Sequence, residues 1–227
     1  MSSKNKLQRF AENETFPNLF QSGYEQLQHE PFPLKGRWSP DFFKNDNPIV
    51  VELGCGKGEY TIGLAQQYPE RNFIGMDIKG ARLWRGLKNS AEMQLGNVAF
   101  VRSRIELISH YFGEGEVSEV WITFPDPQPR KSRRLKRLTS PRFLTLYHGF
   151  LKPDGLIHLK TDSQLLYDYT LEVIAEGQHK LHYATDDLYA THEDMDVKRI
   201  RTFYEQIWLS QGLRIKYLVF SLNHENK

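Results

Sequence analysis

The chain has 227 residues, enough for one α/β domain with a short extension, and its 39% hydrophobic and 26% charged residues are ordinary for a globular protein. No apolar run approaches the roughly 18 residues of a membrane-spanning helix, and no secretory signal follows Met1, so we expect a cytoplasmic protein. The single cysteine, Cys55, excludes an internal disulfide, and no histidine cluster has the spacing of metal ligands.

The order of elements along the chain predicts the fold class. Residues 1–48 are polar with scattered aromatics and prolines, and they predict an irregular arm, ending in a short helix, that packs onto a domain over residues 49–227. There, strand-like and helix-like stretches alternate, which predicts an α/β fold with a mostly parallel, seven-stranded sheet and helices on both faces. Apolar strand-like runs lie near residues 49–53, 73–77, 98–102, 117–124, 155–161, 181–185 and 215–222. Residues 152–155, Lys-Pro-Asp-Gly, predict a turn before the fifth strand.

The first predicted strand ends in an acid and three closely spaced glycines. Residues 50–58 read Val-Val-Glu-Leu-Gly-Cys-Gly-Lys-Gly. A strand that stops at glycines lets a ligand press against bare backbone, because no Cβ stands in the way. We therefore interpret Glu52, Gly54 and Gly56 as cofactor-binding residues, and not as parts of a simple strand-to-helix turn.

The charges around this loop favour one cofactor over another. Asp77 ends the second strand, about where a ribose-binding acid belongs in a nucleotide-binding βαβ unit. The glycine spacing differs from the dinucleotide fingerprint G-x-G-x-x-G, and Glu52 and Glu59 would repel a pyrophosphate. The same carboxylates could receive an ammonium group. S-adenosylmethionine carries an ammonium and no phosphate, so the loop favours it over NAD.

Basic residues are concentrated in one segment, residues 130–137, which holds six of the 30 Lys and Arg residues. The rest of the chain has 24 basic and 28 acidic residues, so it is mildly acidic. The segment follows the fourth strand, and ligands of open α/β sheets bind beyond the carboxyl ends of strands. We therefore expect these cations to bind RNA phosphates and not to form only a solvated face.

Three further carboxylates are candidates for the site. Asp126 lies between two prolines after the fourth strand, Asp162 ends the fifth strand, and Glu205 lies early in the last helix. The alternative for Asp162 is an N-cap, and the alternative for Glu205 is a solvent-facing acid. Because adjacent parallel strands end beside the glycine loop, we favour a role in chemistry for Asp126 and Asp162.

These residues together resemble the bacterial tRNA (guanine-N7-)-methyltransferase family. The resemblance covers roughly residues 7–222, and its most specific parts are Phe-Pro-Asp-Pro at residues 124–127 with the basic tail and Thr-Phe-Tyr-Glu at residues 202–205. It implies the Rossmann-like fold of class I S-adenosylmethionine-dependent methyltransferases, acting on guanine 46 in the variable loop of tRNA. Beside the resemblance, we expect no metal, no membrane and a monomer or homodimer.

The resemblance also assigns roles to positions. It implies Asp126 as the catalytic residue. The implied cofactor site consists of Glu52, Gly54, Gly56, Asp77, Ser103, Arg104 and Asp126. The implied substrate residues are Arg130, Asp162, Thr202, Phe203, Tyr204 and Glu205. The chain departs from the family pattern at Gln128, where most members carry tryptophan, and at Ser103, where many carry an acid.

The chemistry of guanine N7 is consistent with a site rich in acids. N7 has a lone pair and no proton, so its methylation needs no general base, and nearby carboxylates stabilise the charge that develops on the purine. Other classes stay open on sequence alone. They are an NAD-dependent oxidoreductase, a methyltransferase acting on exocyclic nitrogens or on another RNA, and a non-catalytic RNA-binding module.

Overall fold

The computed structural model describes residues 3–193 and 195–223, with the side chains of residues 3–6 and 196 outside the description. The strands are β1 Leu19–Phe20, β2 Ile49–Leu53, β3 Asn72–Asp77, β4 Val98–Arg102, β5 Val117–Thr123, β6 Leu151–Thr161, β7 Lys180–Thr185 and β8 Lys216–Ser221. The α-helices are α1 Ser3–Asn13, α2 Tyr24–His29, α3 Glu59–Gln67, α4 Gly80–Glu92, α5 Pro141–His148, α6 Gln164–Glu176 and α7 Phe203–Ser210. A π-helical turn spans Trp38–Phe43, and 3-10 helices span Ile105–His110, Lys131–Lys136 and Asp196–Lys198.

All the strands form one sheet in the order β1-β4-β3-β2-β5-β6-β8-β7. The pairs from β1 to β6 are parallel, while β8 runs antiparallel to both β6 and β7. The chain leaves β2 toward β3 and β4 on one side and returns to β5 on the other. The topological switch point therefore lies between β2 and β5, where open α/β sheets bind their ligands.

The sheet confirms the predicted fold class and corrects its details. The seven predicted strands are present, but the sheet has eight, because Leu19–Phe20 pairs with β4. Two residues are too short to show a period of two, so this strand could not be seen in the sequence. The turn predicted at residues 152–155 is present as a bulge within β6, since a Cβ added at Gly155 would lie 2.9 Å from the Lys152 carbonyl oxygen. Those residues lie inside β6, where the pairing with β5 jumps from Val117↔Leu151 to Glu119↔Leu156.

Two hydrophobic clusters cover the two faces of the sheet. Along β2 the side chains alternate between them: Ile49, Val51 and Leu53 belong to one cluster and Val50 to the other. The first cluster also takes in Trp38, which is fully buried and donates its indole N–H to the Tyr111 carbonyl at 2.9 Å. Packing thus crosses the boundary predicted at residues 48 and 49, and the division into two regions stays a prediction.

Within the described residues, no helix is long and apolar enough to cross a membrane.

Candidate functional site

The glycine loop after β2 has a backbone that only glycine adopts easily. Gly54, Gly56 and Gly58 have φ angles of +74°, +58° and +71°, in the left-handed region that a Cβ disfavours. Asp77 fixes the loop, since its carboxylate accepts hydrogen bonds from the backbone N–H of Gly56 at 3.0 Å and of Lys79 at 2.7 Å. The acid at the end of β3 therefore shapes the turn that follows β2.

Glu52 is the most buried acid of the loop, with 4% of its surface exposed. Its carboxylate accepts hydrogen bonds from the Thr123 hydroxyl at 2.6 Å, from the Thr61 backbone N–H at 2.8 Å and from the Thr61 hydroxyl. Burial raises the pKa of Glu52 to about 7, and the hydrogen bonds from the two threonines oppose that rise. Glu52 thus joins β2 to α3 and to the end of β5, and it can titrate near neutral pH.

Two adjoining cavities open at the switch point. The first, about 400 Å³, has Glu52, Gly56, Asp162, Thr202 and Tyr204 in its lining. The second, about 430 Å³, has Asp77, Ser103 and Arg104 in its lining. Both share Gly54, Arg82, Phe124, Pro125 and Asp126. The structure therefore brings most of the predicted site residues to one place, with Asp126 at the junction.

Asp126 lies in an unusual loop. Its exposed carboxylate accepts a hydrogen bond from the Gln128 backbone N–H at 2.9 Å. Phe124 and Gln128, two residues to either side, have φ angles of +48° and +45°, which are costly for residues with a Cβ. Strained backbone of this kind persists only where surrounding contacts enforce it, and it concentrates at functional sites.

Arg137 supplies such contacts. Although the sequence places it in the basic segment, it is buried with 6% exposed. Its guanidinium donates to the carbonyls of Pro127 at 3.1 Å and Gln128 at 3.2 Å and lies 4.3 Å from the Tyr169 ring centroid. Arg137 therefore holds the Asp126 loop, and the expectation that it meets phosphates is wrong. The preceding residues, Lys131–Lys136, form an exposed 3-10 helix whose cations are accessible.

Residues 202–205 start α7 at the edge of the first cavity. Thr202 and Glu205 form a capping box, in which each side chain bonds the backbone N–H of the other. Glu205 is fully buried, and its carboxylate lies 2.7 Å from the Lys160 ammonium and accepts from the Tyr189 hydroxyl at 2.7 Å. The alternative of a solvent-facing Glu205 is therefore wrong. Burial lowers the pKa of Lys160, and the Glu205 carboxylate opposes that shift.

The remaining predicted residues divide in position. Asp162 lines the first cavity. The N-cap of α6 is Ser163, whose side chain accepts a hydrogen bond from the Leu166 N–H. The N-cap alternative for Asp162 is therefore wrong. Arg130 is exposed at the start of the basic 3-10 helix and lines neither cavity. Phe203 is 53% exposed, with the Lys57 ammonium 5.0 Å from its ring.

Sequence reasoning missed several residues of the site. Arg82 lines both cavities from the first turn of α4. Trp208 lines the first cavity one turn after Tyr204, and its ring lies 4.9 Å from that of Phe124. An aromatic at i+4 from Tyr204 could have indicated a shared helix face. In the part of the chain that the structure describes, no group of three or more His, Cys, Asp or Glu could hold a metal ion.

Solved methyltransferases share this fold. The 16S rRNA methyltransferase KamB aligns with a TM-score of 0.61 and 16% identity, over 81% of this chain and 92% of its own. A family model described as "Putative methyltransferase" matches residues 46–218. The fold is thus that of a Rossmann-like methyltransferase.

Sequence relatives define the family more closely. The tRNA (guanine-N(7)-)-methyltransferase of Porphyromonas gingivalis is 54% identical over 212 residues, covering 92% of this chain and 86% of the relative. The enzyme of the same name from Christiangramia forsetii is 52% identical over 223 residues, covering 98% of this chain and 100% of the relative. The chain belongs to the tRNA (guanine-N(7)-)-methyltransferase family.

Replacing Glu52 by Gln should change how stability depends on pH. The folded pKa of Glu52, about 7, lies above its usual value of 4.5, so between these values the folded protein binds the proton more tightly than the unfolded chain. The free energy of unfolding therefore falls as pH rises from 4.5 through 7, by on the order of 3 kcal/mol. Glu52→Gln cannot titrate and should lack that loss in urea unfolding at pH 5, 6, 7 and 8. A constant difference between variant and wild type would contradict this account.

Arg137→Ala should destabilise the fold. Two carbonyls lose a charged donor, which corresponds to about 1–3 kcal/mol in urea unfolding. Arg142→Ala is the matched control, because Arg142 is exposed in α5 and should shift stability by less than about 0.5 kcal/mol. Equal effects of the two substitutions would show that Arg137 does not hold the loop.

Proposed function

We propose that this protein transfers the methyl group of S-adenosylmethionine to N7 of a guanine in tRNA, in the cytoplasm. The observation that carries the proposal is the pair of cavities that meet at Asp126, with the glycine loop and Asp77 beside them and a second carboxylate, Asp162, facing the first cavity. The activity named for relatives that are 50–54% identical agrees with this arrangement. The family resemblance implies guanine 46 of the variable loop as the acceptor.

The residues at the cavities fit the cofactor. A Cβ added at Gly54 would meet no atom within 4 Å, so the loop leaves open space there, and the surrounding acids suit an ammonium better than a phosphate. Asp77, Ser103 and Arg104 would hold the adenosine part in the second cavity, and Glu52 with Gly56 would lie toward the amino-acid part. When bound, S-adenosylmethionine supplies an electrophilic methyl group.

The chain's own part in the reaction is to position the base and stabilise charge. Guanine N7 brings its own electron pair, so no residue has to remove a proton. The purine becomes cationic as the bond forms, and the carboxylate of Asp126 stabilises that charge. The Asp162 carboxylate accepts hydrogen bonds from the guanine N1–H and N2–H₂ groups, and this selects guanine over adenine. Tyr204 and Trp208 offer aromatic surfaces in the first cavity, whereas Gln128, at the position where most family members carry tryptophan, lines the second.

Glu205 acts differently from Asp162 in this scheme. Its carboxylate is bonded to Lys160 and Tyr189 and is fully buried, so it does not meet the base in this structure. Its capping box fixes Thr202, and the Phe203 N–H donates to Glu59 at 2.9 Å, which ties the start of α7 to the start of α3. Glu205 thereby positions the two cavity residues Thr202 and Tyr204.

The test is to incubate the protein with a tRNA transcript and radiolabelled S-adenosylmethionine. Alkaline treatment followed by aniline should cleave the product at a single guanine, because N7-methylation labilises that nucleotide. A transcript with 7-deazaguanine in place of guanine is the matched control and should take up no label. Label on an exocyclic nitrogen, on carbon, or on the 7-deaza transcript would refute N7 as the acceptor.

Asp126→Asn should lower turnover more than it weakens tRNA binding. The substitution keeps the size and the hydrogen bond to the Gln128 N–H but removes the charge that faces the developing cation. We expect kcat to fall at least tenfold, with the tRNA dissociation constant changed less than about threefold, the pattern of an interaction made in the transition state. A rise in the dissociation constant with unchanged kcat would place Asp126 in binding only.

The exposed cations of the basic 3-10 helix should bind tRNA phosphates. The triple variant Lys131→Gln, Arg133→Gln, Arg134→Gln should weaken tRNA binding and flatten its salt dependence, since each phosphate contact releases counterions. Arg137 is left in place because it holds the loop. Affinity for S-adenosylhomocysteine, measured by calorimetry, should not change. An unaltered salt slope would mean that the helix is only a solvated face.

A further inference from the structure

A second group of cations lies on α4, outside the basic segment. Lys79, Arg82, Arg85 and Lys88 recur every three residues, and the helix has no acid before Glu92. Residues three apart on a helix are surface neighbours, so the four side chains form a connected group, the α4 cation row. Lys79, Arg82 and Arg85 are exposed and Lys88 is half-buried. Charge totals along the chain hide this row, since acids elsewhere cancel it.

None of the four side chains of the α4 cation row forms an ion pair with a carboxylate among the described residues. The ion pairs that the structure shows among the described residues have other cations, namely Arg37, Arg71, His158, Lys160 and Arg214. Like charges at neighbouring helical positions repel each other by a few tenths of a kcal/mol per pair, so the row costs stability in the free protein. An anionic partner would remove that repulsion.

Trp84 supports the outer end of the row. Its ring lies 5.0 Å from the Arg85 guanidinium and 5.2 Å from the Lys88 ammonium, and its indole N–H donates to Glu12 at 2.7 Å, which joins α4 to α1. The cationic groups rest on an aromatic face, and neither bonds an acid. This arrangement orders the two side chains while their hydrogen-bond donors stay available.

The position of the row relates it to the site. Lys79 and Arg82 line the second cavity, which Lys136 of the basic 3-10 helix also lines. Two separate basic surfaces, one in α4 and one in Lys131–Lys136, therefore both reach the cavities. A ligand with negative charges at one end only would need only one of the two basic surfaces. A polyanion that extends across the site can use both.

We propose that the α4 cation row is a second binding surface for the sugar-phosphate backbone of the RNA substrate, separate from the basic 3-10 helix. The proposal rests on the proposed function, since it takes the substrate to be tRNA. It assigns Arg85 and Lys88 to backbone contacts away from the reacting base, and Arg82 to the junction between backbone and cavity. Contacts of this kind fix the register of the RNA on the protein and carry no sequence information.

The test uses the double variant Arg85→Gln, Lys88→Gln in the full chain, because neither residue lines either of the two cavities at the site. Its matched control is Lys152→Gln, Lys180→Gln, which removes the same charge from exposed positions at the starts of β6 and β7, at the end of the sheet away from the cavities. tRNA binding is measured from 50 to 300 mM salt. We expect the α4 variant to bind about fivefold more weakly at low salt and its slope of log affinity against log salt to fall by about one to two.

Three outcomes separate this proposal from the proposed function. Wild-type slopes in the α4 variant, or equal losses in the control, would overturn the cation row as a binding surface while N7-methylation by the wild type stands. Failure of the wild type to methylate N7 would instead overturn the proposed function. Arg85→Glu provides a second test of the cation row, since reversing the charge should weaken tRNA binding more than Arg85→Gln does. The affinity for S-adenosylhomocysteine is measured for every variant. We expect it to stay unchanged, as it should if the cavities are intact.

Discussion

The site depends on one buried carboxylate. Glu52 accepts hydrogen bonds from Thr61 in α3 and from Thr123 at the end of β5, so it connects the three elements that surround the switch point. Gly54 follows two residues after Glu52, and the Asp126 loop starts one residue after Thr123. Both cavity-forming loops therefore start from the same hydrogen-bonded group. Because burial opposes the charge of Glu52 while its three donors favour it, the group lies near its point of titration at neutral pH.

Much of the fold could be predicted because its signals are local. Apolar runs and glycine-rich turns repeat along the chain from residue 49, and each predicted strand is present in the sheet. The glycine loop could be predicted for the same reason, since Gly54, Gly56 and Gly58 lie where the backbone needs positive φ. The part of the sheet that escaped prediction is Leu19–Phe20, whose pairing with β4 depends on packing of the preceding arm and not on any pattern of its own.

The site was less predictable where a role depends on distant partners. A run of Lys and Arg reads as uniform charge, yet Arg137 is buried against the carbonyls of Pro127 and Gln128 while its neighbours are exposed. Glu205 reads as a surface acid, but its partner Lys160 lies 45 positions earlier, in the central part of the sheet. The roles of the residues that line the cavities stay predictions. What the structure adds is which of those side chains are free to meet a ligand.

The loop that carries Asp126 shows how the fold sustains an unfavourable conformation. Phe124 and Gln128 both have positive φ, a conformation that costs of order 1 kcal/mol or more for each residue with a Cβ. Phe124 packs against Trp208 of α7, and the Gln128 carbonyl bonds Arg137. These two contacts come from different parts of the chain, and each restrains one side of Asp126. The exposed carboxylate between them is therefore held in place by its neighbours, and the loop needs neither burial of Asp126 nor an ion pair to fix it.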